Sequence, residues 1–296
     1  MNITAKQVKE LRDLTGAGML DCKKALVETN GDVQKAVIYL REKGMASAQK
    51  KESRIAAEGL GNFVFDNNTA IIYEVNSETD FVAKNEQFLK LIDTIAEALI
   101  SAKPENTEEA LKVVYKGETV ETILSNATAS IGEKITLRRV QRITKENDET
   151  FGAYKHMGGK IVSLVVVKGD EEVAKNLAMH VAAQKPKYLT ESEIEPAFIE
   201  SEKQILLNQA LEENKQEAKP KPENIIERIV EGRLNKQLKD LCLVFQPYVK
   251  DPSISVTQYL KQEKGSVVKF ARLEVGEGIE KRQEDFAAEV QAQLAK

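Results

Sequence analysis

The chain has no tryptophan, only two histidines and two cysteines, and 5% aromatic residues in a length of 296. Each shortage excludes a class of function. Cys22 and Cys242 cannot form a disulfide framework and are expected to be small buried apolar residues. His156 and His180 stand apart, and no cluster of His, Cys or carboxylates at short spacing offers a metal site. Thr15-Gly16-Ala17-Gly18 lacks the preceding strand and the lysine of a phosphate-binding loop, and no Gly-x-Ser-x-Gly nucleophile turn occurs. Neither an enzyme nor a bound cofactor or metal is expected. The net charge of −4 argues against nucleic acid as the main ligand. The longest apolar run, Leu164-Val165-Val166-Val167, is far too short to span a bilayer. Met1-Asn2-Ile3-Thr4-Ala5-Lys6 leads straight into a charged amphipathic segment, so a signal peptide is not expected and the location reads as cytoplasmic.

What the chain has is charge, 30% of residues, and helical periodicity. Residues 1–55 read as three short helices with a connector. Thr4 caps the first, with Val8, Leu11 and Leu14 on one face. Met19 to Thr29 forms the second, with Leu20, Ala25 and Leu26. Asp32 caps the third, lined by Val33, Ala36, Val37 and Leu40 and ended by Gly44, and Gln49 to Arg54 reads as the connector. The unit is too small for a catalytic core. It resembles the ubiquitin-associated fold, which suits a docking knob.

The next feature is an internal duplication. Slid so that Gly61 falls on Gly152, the chain sets Ile71 on Val162, Val75 on Val166, and Val82-Ala83-Lys84-Asn85 on the identical Val173-Ala174-Lys175-Asn176. A later match sets Ile135-Thr136-Leu137-Arg138-Arg139-Val140 on Val268-Lys269-Phe270-Ala271-Arg272-Leu273, so the second copy carries roughly 42 inserted residues. The expected fold is α+β, a duplicated core of small antiparallel sheets and helices. Its first half is 56–142, and its second is 143–186 plus 240–275. Asp66-Asn67-Asn68-Thr69 makes a hairpin turn in the first half. In the second, His180 shares an apolar face with Val173, Leu177 and Val181 and reads as a core histidine, whereas His156 lies at a hairpin tip. The insertion, 187–239, reads as two helices broken by Lys219-Pro220-Lys221-Pro222. Ile194, Phe198, Ile205 and Leu211 mark one; Ile225, Ile229, Leu234, Leu238 and Leu241 mark the other. Together they suit an antiparallel coiled-coil arm about 30 Å long. A C-terminal module, 276–296, holds Gly276-Glu277-Gly278 and a helix showing Phe286, Val290 and Leu294, which suits a partner contact.

Asn76-Ser77-Glu78-Thr79-Asp80-Phe81-Val82 is the most informative stretch. It joins an apolar strand, Ala70 to Val75, to a helix starting near Val82 whose sheet-facing residues are Val82, Leu89, Ile92, Ala96 and Leu99. Asp80 suits the cap of that helix. Phe81 has two readings: core, since Phe88 and Ile92 follow at helical spacing, or an exposed probe that enters another protein. The duplication favours the second, because Glu172 occupies its position in the other copy.

Two stretches resemble signatures of the bacterial elongation factor Ts family: Leu11-Arg12-Asp13-Leu14-Thr15-Gly16-Ala17-Gly18-Met19-Leu20-Asp21-Cys22-Lys23-Lys24-Ala25-Leu26, and Glu74 through Lys84. The likeness extends over the whole chain. It implies an exchange factor that promotes GDP release from the GTPase elongation factor Tu, in a one-to-one or two-to-two complex. It implies that Thr79, Asp80, Phe81 and Val82 enter the GTPase near its magnesium and dislodge the ion. It also implies docking through Arg12, Met19 and Leu20, with further contacts around His156 and Lys160 and on the C-terminal helix at Phe286. A non-catalytic scaffold that dimerises through the 190–240 hairpin and recruits a partner through the three-helix knob is the alternative, and it leaves Asp80 and Phe81 without a task.

Overall fold

The computed structural model describes residues 3–217 and 219–280. The chain divides into two compact units. One comprises residues to Thr144, His156–Val162 and the segment from Leu273; the other comprises Lys145–Lys155 and Ser163–Arg272.

The first unit begins with α1 (Ala5–Thr15), α2 (Met19–Glu28) and α3 (Val33–Lys51). Thr4 and Gln7 form a reciprocal capping box on α1, and Asp32 accepts the Lys35 N–H at 3.0 Å to start α3. Val8, Leu11, Cys22, Ala25, Leu26 and Ala36 make their shared core. Then come strands β1 (Glu58–Asp66) and β2 (Thr69–Ser77), helices α4 (Asp80–Ala83), α5 (Glu86–Ala102) and α6 (Thr107–Lys112), and the short strands β3 (Val114–Tyr115) and β4 (Glu118–Thr119). Helix α7 (Val120–Ile131) and strand β5 (Thr136–Thr144) follow. The sheet runs β1-β2-β5, antiparallel throughout. Asp66 pairs with Thr69 across the hairpin, and Asn67 takes the left-handed conformation, φ 50°, that a tight turn requires. Phe88, Leu91, Ile92, Ile95 and Leu99 of α5 bury against Ile71, Tyr73 and Val75 of β2.

Four expectations fail here. Leu14 is 68% exposed, because it lies on the last turn of α1 just before Gly16 (φ 68°) turns the chain away. Gly44 does not end α3, which continues to Lys51 through much of the supposed connector. The glycine serves packing instead: a Cβ there would lie 3.1 Å from the Ala129 Cβ on α7, so its absence lets the two helices approach. The helix expected from Val82 is two helices, interrupted at Lys84 and restarted by Asn85, whose side chain accepts the Gln87 N–H at 2.7 Å. That restart resets the helical phase, so Leu89 faces solvent and Phe88 and Leu91 take the core positions.

The second sheet has the order β10-β7-β6, from β6 (Thr150–His156), β7 (Ile161–Lys168) and β10 (Ser266–Glu274). This matches β5-β2-β1 strand for strand, as the repeat pairs them. The second unit also contains α8 (Glu171–Gln184), α9 (Pro196–Lys215), α10 (Glu223–Leu241), β8 (Pro247–Tyr248), β9 (Asp251–Ser255) and α11 (Val256–Gln262). Helices α9 and α10 return antiparallel, tied by Arg233 on Glu213 at 2.7 Å and, at the turn, by the Lys221 N–H on Asn214 Oδ1 at 2.7 Å. Their contact stripe differs from the one expected. Ile226, Val230, Leu234 and Leu238 are buried on α10, and Ile225 points out, one residue off phase. On α9, Leu206 and Ala210 face inward, Ile205 and Leu211 are exposed, and Ile194 is buried ahead of the helix, which starts with Pro196 at its first turn. Cys22 and Cys242 are free and buried. No described helix is long and apolar enough to cross a membrane. Phe286, Val290 and Leu294 lie outside the described residues.

His180 is fully buried on α8, and both ring nitrogens are satisfied. Nδ1 accepts the Val249 N–H at 3.1 Å, so Nε2 carries the proton and donates to Gln246 Oε1 at 3.0 Å. Burial holds its pKa below the ordinary 6.5, and the Gln246 contact only partly offsets this. The unfolded chain therefore binds a proton that the folded chain refuses between those two values. The associated stability is intact above about pH 6.5 and is lost as pH falls toward the folded pKa. Urea melts taken from about pH 7.5 to about 5.5 should show a falling unfolding free energy, and His180→Gln should flatten that fall. Equal slopes in both proteins would place the acid sensitivity elsewhere.

Candidate functional site

Strand β2 ends in the turn that carries Phe81, and that turn is fastened on three sides. Beneath it lies Glu74, a carboxylate without solvent exposure. It receives Arg138 Nη1 at 3.3 Å, Arg139 Nε, the Asn76 amide at 2.9 Å and the Gly276 N–H at 2.9 Å. A buried charge persists only when paired and hydrogen-bonded in this way. Beyond it, Ser77 Oγ donates to the Thr79 carbonyl at 3.0 Å. Glu78 accepts the Lys134 N–H at 2.6 Å and Arg54 Nη1 at 3.3 Å. Thr79 donates twice to one carboxylate, its N–H to Glu133 Oε2 at 2.9 Å and its hydroxyl to Oε1 at 2.6 Å.

Helix α4 is capped by Thr79, whose Oγ1 accepts the Val82 N–H at 3.4 Å, and not by Asp80. The reason is positional: Asp80 is already inside the first turn, where its carboxylate favours the positive helix end without closing a cap. It meets Lys84 Nζ at 2.9 Å one turn along. That hydrogen bond, with the charges of Lys84 and Lys160, holds the Asp80 carboxyl below the usual carboxylate range. Val82 and Ala83 are buried and anchor the turn from behind. Phe81 is 80% exposed, more than any other large apolar residue described. Glu172, its counterpart in the second copy, is also exposed. The core reading of Phe81 is excluded.

The other expected residues are placed as follows. Arg12, Met19 and Leu20 are exposed around the corner between α1 and α2, Leu20 at 74%, and Leu14 joins them on that surface. His156 is exposed at the end of β6 beside Met157, which is 72% exposed. Lys160 is half-buried and ion-paired with Glu58 at 2.5 Å, yet near enough to Asp80 for its charge to act there. Gly159 approaches the Gly61 carbonyl so closely that a Cβ would stand 2.8 Å from it, and this fixes the tip holding Lys160. Phe286 lies outside the described residues. Among the described residues no group of His, Cys, Asp and Glu is arranged to hold a metal ion. The pairings of Glu133 with Thr79 and of Lys134 with Glu78 were not legible, because the partners are more than 50 positions apart.

A family model described as "Elongation factor TS" matches residues 78–277 of this chain. A protein named elongation factor Ts, from Acholeplasma laidlawii (strain PG-8A), is 51% identical over 298 residues, covering 100% of each chain.

Because Phe81 touches so little, Phe81→Ala should shift the melting temperature by no more than about 1 °C. Thr79→Val removes the cap and one carboxylate bond while keeping the shape, and should cost about 1–2 kcal/mol. Calorimetry on both variants checks the contrast. A large loss in Phe81→Ala alone would show that its ring packs on the fold.

Proposed function

The chain belongs to the elongation factor Ts family, and from that premise we propose that it is a guanine-nucleotide exchange factor for the GTPase elongation factor Tu in translation elongation. The observation that carries this reading is Phe81, bare on a turn whose Thr79 is held by Glu133 and whose Glu78 is held by Lys134. Such a side chain has nothing to do within its own fold and is preorganised to enter another. In this reading the protein performs no chemistry of its own, carries no cofactor and works in the cytoplasm. Residues 1–55 act as a docking module of the ubiquitin-associated type through Arg12, Met19 and Leu20. The two core halves, 56–142 and 143–186 with 240–275, present the wedge Thr79-Asp80-Phe81-Val82 and the contacts at His156 and Lys160. The arm at 187–239 is an antiparallel coiled coil, and Phe286 in 276–296 grips the GTPase. The scaffold alternative gives Phe81 no task.

Magnitudes constrain how the wedge works. Raising nucleotide release by about 10⁴ requires roughly 5.5 kcal/mol of preference for the nucleotide-free GTPase. Burying the Phe81 ring contributes about 1.5–3 kcal/mol, so a broad interface must supply the rest. Asp80 does not capture the magnesium. One carboxylate is a poor match for an ion that wants six oxygens. The ion leaves because the ring displaces the elements that hold it, after which the phosphates lose their main counter-charge. Docking at the α1–α2 corner adds affinity without touching the ion.

Phe81→Ala should slow stimulated GDP release at least about tenfold, read from a fluorescent nucleotide on the partner GTPase. Coupling between ion and factor is reciprocal, so their affinities for the nucleotide-free GTPase must oppose each other. The dissociation constant should rise across a magnesium titration at fixed ionic strength. Phe81→Ala should flatten that rise, whereas Arg12→Ala should weaken binding by a similar factor at every magnesium level. An affinity indifferent to magnesium in the unmutated protein would sink ion displacement even if exchange were observed.

A further inference from the structure

Phe81 is 80% exposed, so the backbone of residues 79–82 sets the direction of its Cα–Cβ bond. That backbone is gripped from the segment between α7 and β5. Glu133 follows Gly132, whose left-handed φ of 91° ends α7, and its two oxygens take the Thr79 N–H and hydroxyl. The grip is returned one residue on, where the Lys134 N–H donates to Glu78 at 2.6 Å. The Ile135 N–H donates to Thr128 Oγ1 at 3.0 Å, so the clamping segment is itself held.

The duplication supplies an internal control. The match that sets Val82 on Val173 sets Thr79 on Asp170 and Phe81 on Glu172. The match that sets Ile135 on Val268 sets Gly132 on Gly265 and Glu133 on Ser266. Asp170 caps its helix by accepting the Val173 N–H at 2.9 Å, and α8 runs unbroken to Gln184. Starting a helix at this point of the repeat therefore requires no clamping glutamate. A carboxylate at position 79 would also repel Glu133, whereas the Thr79 hydroxyl lets it approach and donates to it. The Thr–Glu clamp and the exposed aromatic ring occur together in one copy, and both are missing from the other.

We propose that Glu133 is a positioning residue: it clamps Thr79 so that the backbone presents Phe81 where the exchange step uses it. This rests on the exchange reading above, and the two can fail separately. The test uses the full-length protein and the partner GTPase loaded with fluorescent GDP. Glu133→Ala should lower the release rate at saturating factor about tenfold, while the half-saturating concentration moves less than about threefold. Combined with Phe81→Ala it should add no further loss, because a residue acting through the ring has nothing left to position. Hydrogen exchange should show the Thr79 amide losing protection in Glu133→Ala while Ile71 to Val75 keep theirs. If Glu133→Ala does not fold, Glu133→Gln decides by the same comparisons. An unchanged rate, an unchanged Thr79 amide, or an equal loss with and without Phe81 would overturn the assignment. Were the unmutated protein unable to release GDP, the exchange reading would fall, and amide exchange would still decide the clamp.

Discussion

The first unit is organised around one buried charge. Glu74 has no exposure, and an isolated carboxylate there would be intolerable. Arg138 and Arg139 from β5 answer it, and each also donates to the chain's late segment, Arg138 Nη2 to the Glu277 carbonyl and Arg139 Nη2 to the Glu274 carbonyl, both at 2.6 Å. The Gly276 N–H completes the set, and only glycine can bring it there. Its φ is 76°, and a Cβ would stand 2.2 Å from the Ala57 carbonyl. A single carboxylate thereby joins β2, β5 and a segment some 200 residues away. Losing both arginines would strand the Glu74 carboxylate in the interior. The turn that carries Phe81 begins four residues beyond Glu74, where β2 has ended at Ser77.

On the proposed reading, rigidity at that point has a functional value. A mobile turn would lose backbone freedom as Phe81 entered a partner, and that loss would consume much of what one buried ring contributes. The scaffold orders the turn in advance with carboxylates that are spent on backbone groups. The two copies show how little change this required. Asn85 and Asn176 end the same four-residue motif, yet Asn85 caps a new helix while Asn176 lies buried between the Tyr259 hydroxyl and Lys250. In one copy the chain stops after a single helical turn and presents an aromatic ring. In the other it continues as a regular helix with glutamate outward.

What could be read from sequence depended on how local its cause was. The Thr4 and Asp32 caps and the hairpin at Asn67 obey rules spanning three or four residues, and they stand in the structure. The exposure of Phe81 was legible through Glu172, because duplication lets one copy report on the other. Leu89 and Ile225 were misplaced because a helix restart or a one-residue phase shift carries no strong local mark. Gly44 was read as a stop because its reason, Ala129, is more than 80 residues away in sequence. Glu133 was invisible on the same ground: nothing near it hints that Thr79 will arrive.

The electrostatics of the turn divide the labour between its residues. Asp80 and Lys84 neutralise each other on the outer face, and Glu133 and Glu78 are occupied by the groups they hold. A partner meeting this surface encounters little unbalanced charge and one large apolar ring. Exposed pairs such as Asp80 with Lys84 are weak and screened by salt, so either member can be released to a partner group at small cost. The ring has no such alternative in water, and its transfer into an apolar pocket is favourable at any ionic strength. On the proposed reading, shape and burial at Phe81 perform the displacement. The neighbouring charges tune how closely the turn can approach, and the broad surfaces elsewhere provide the affinity that keeps the ring in place.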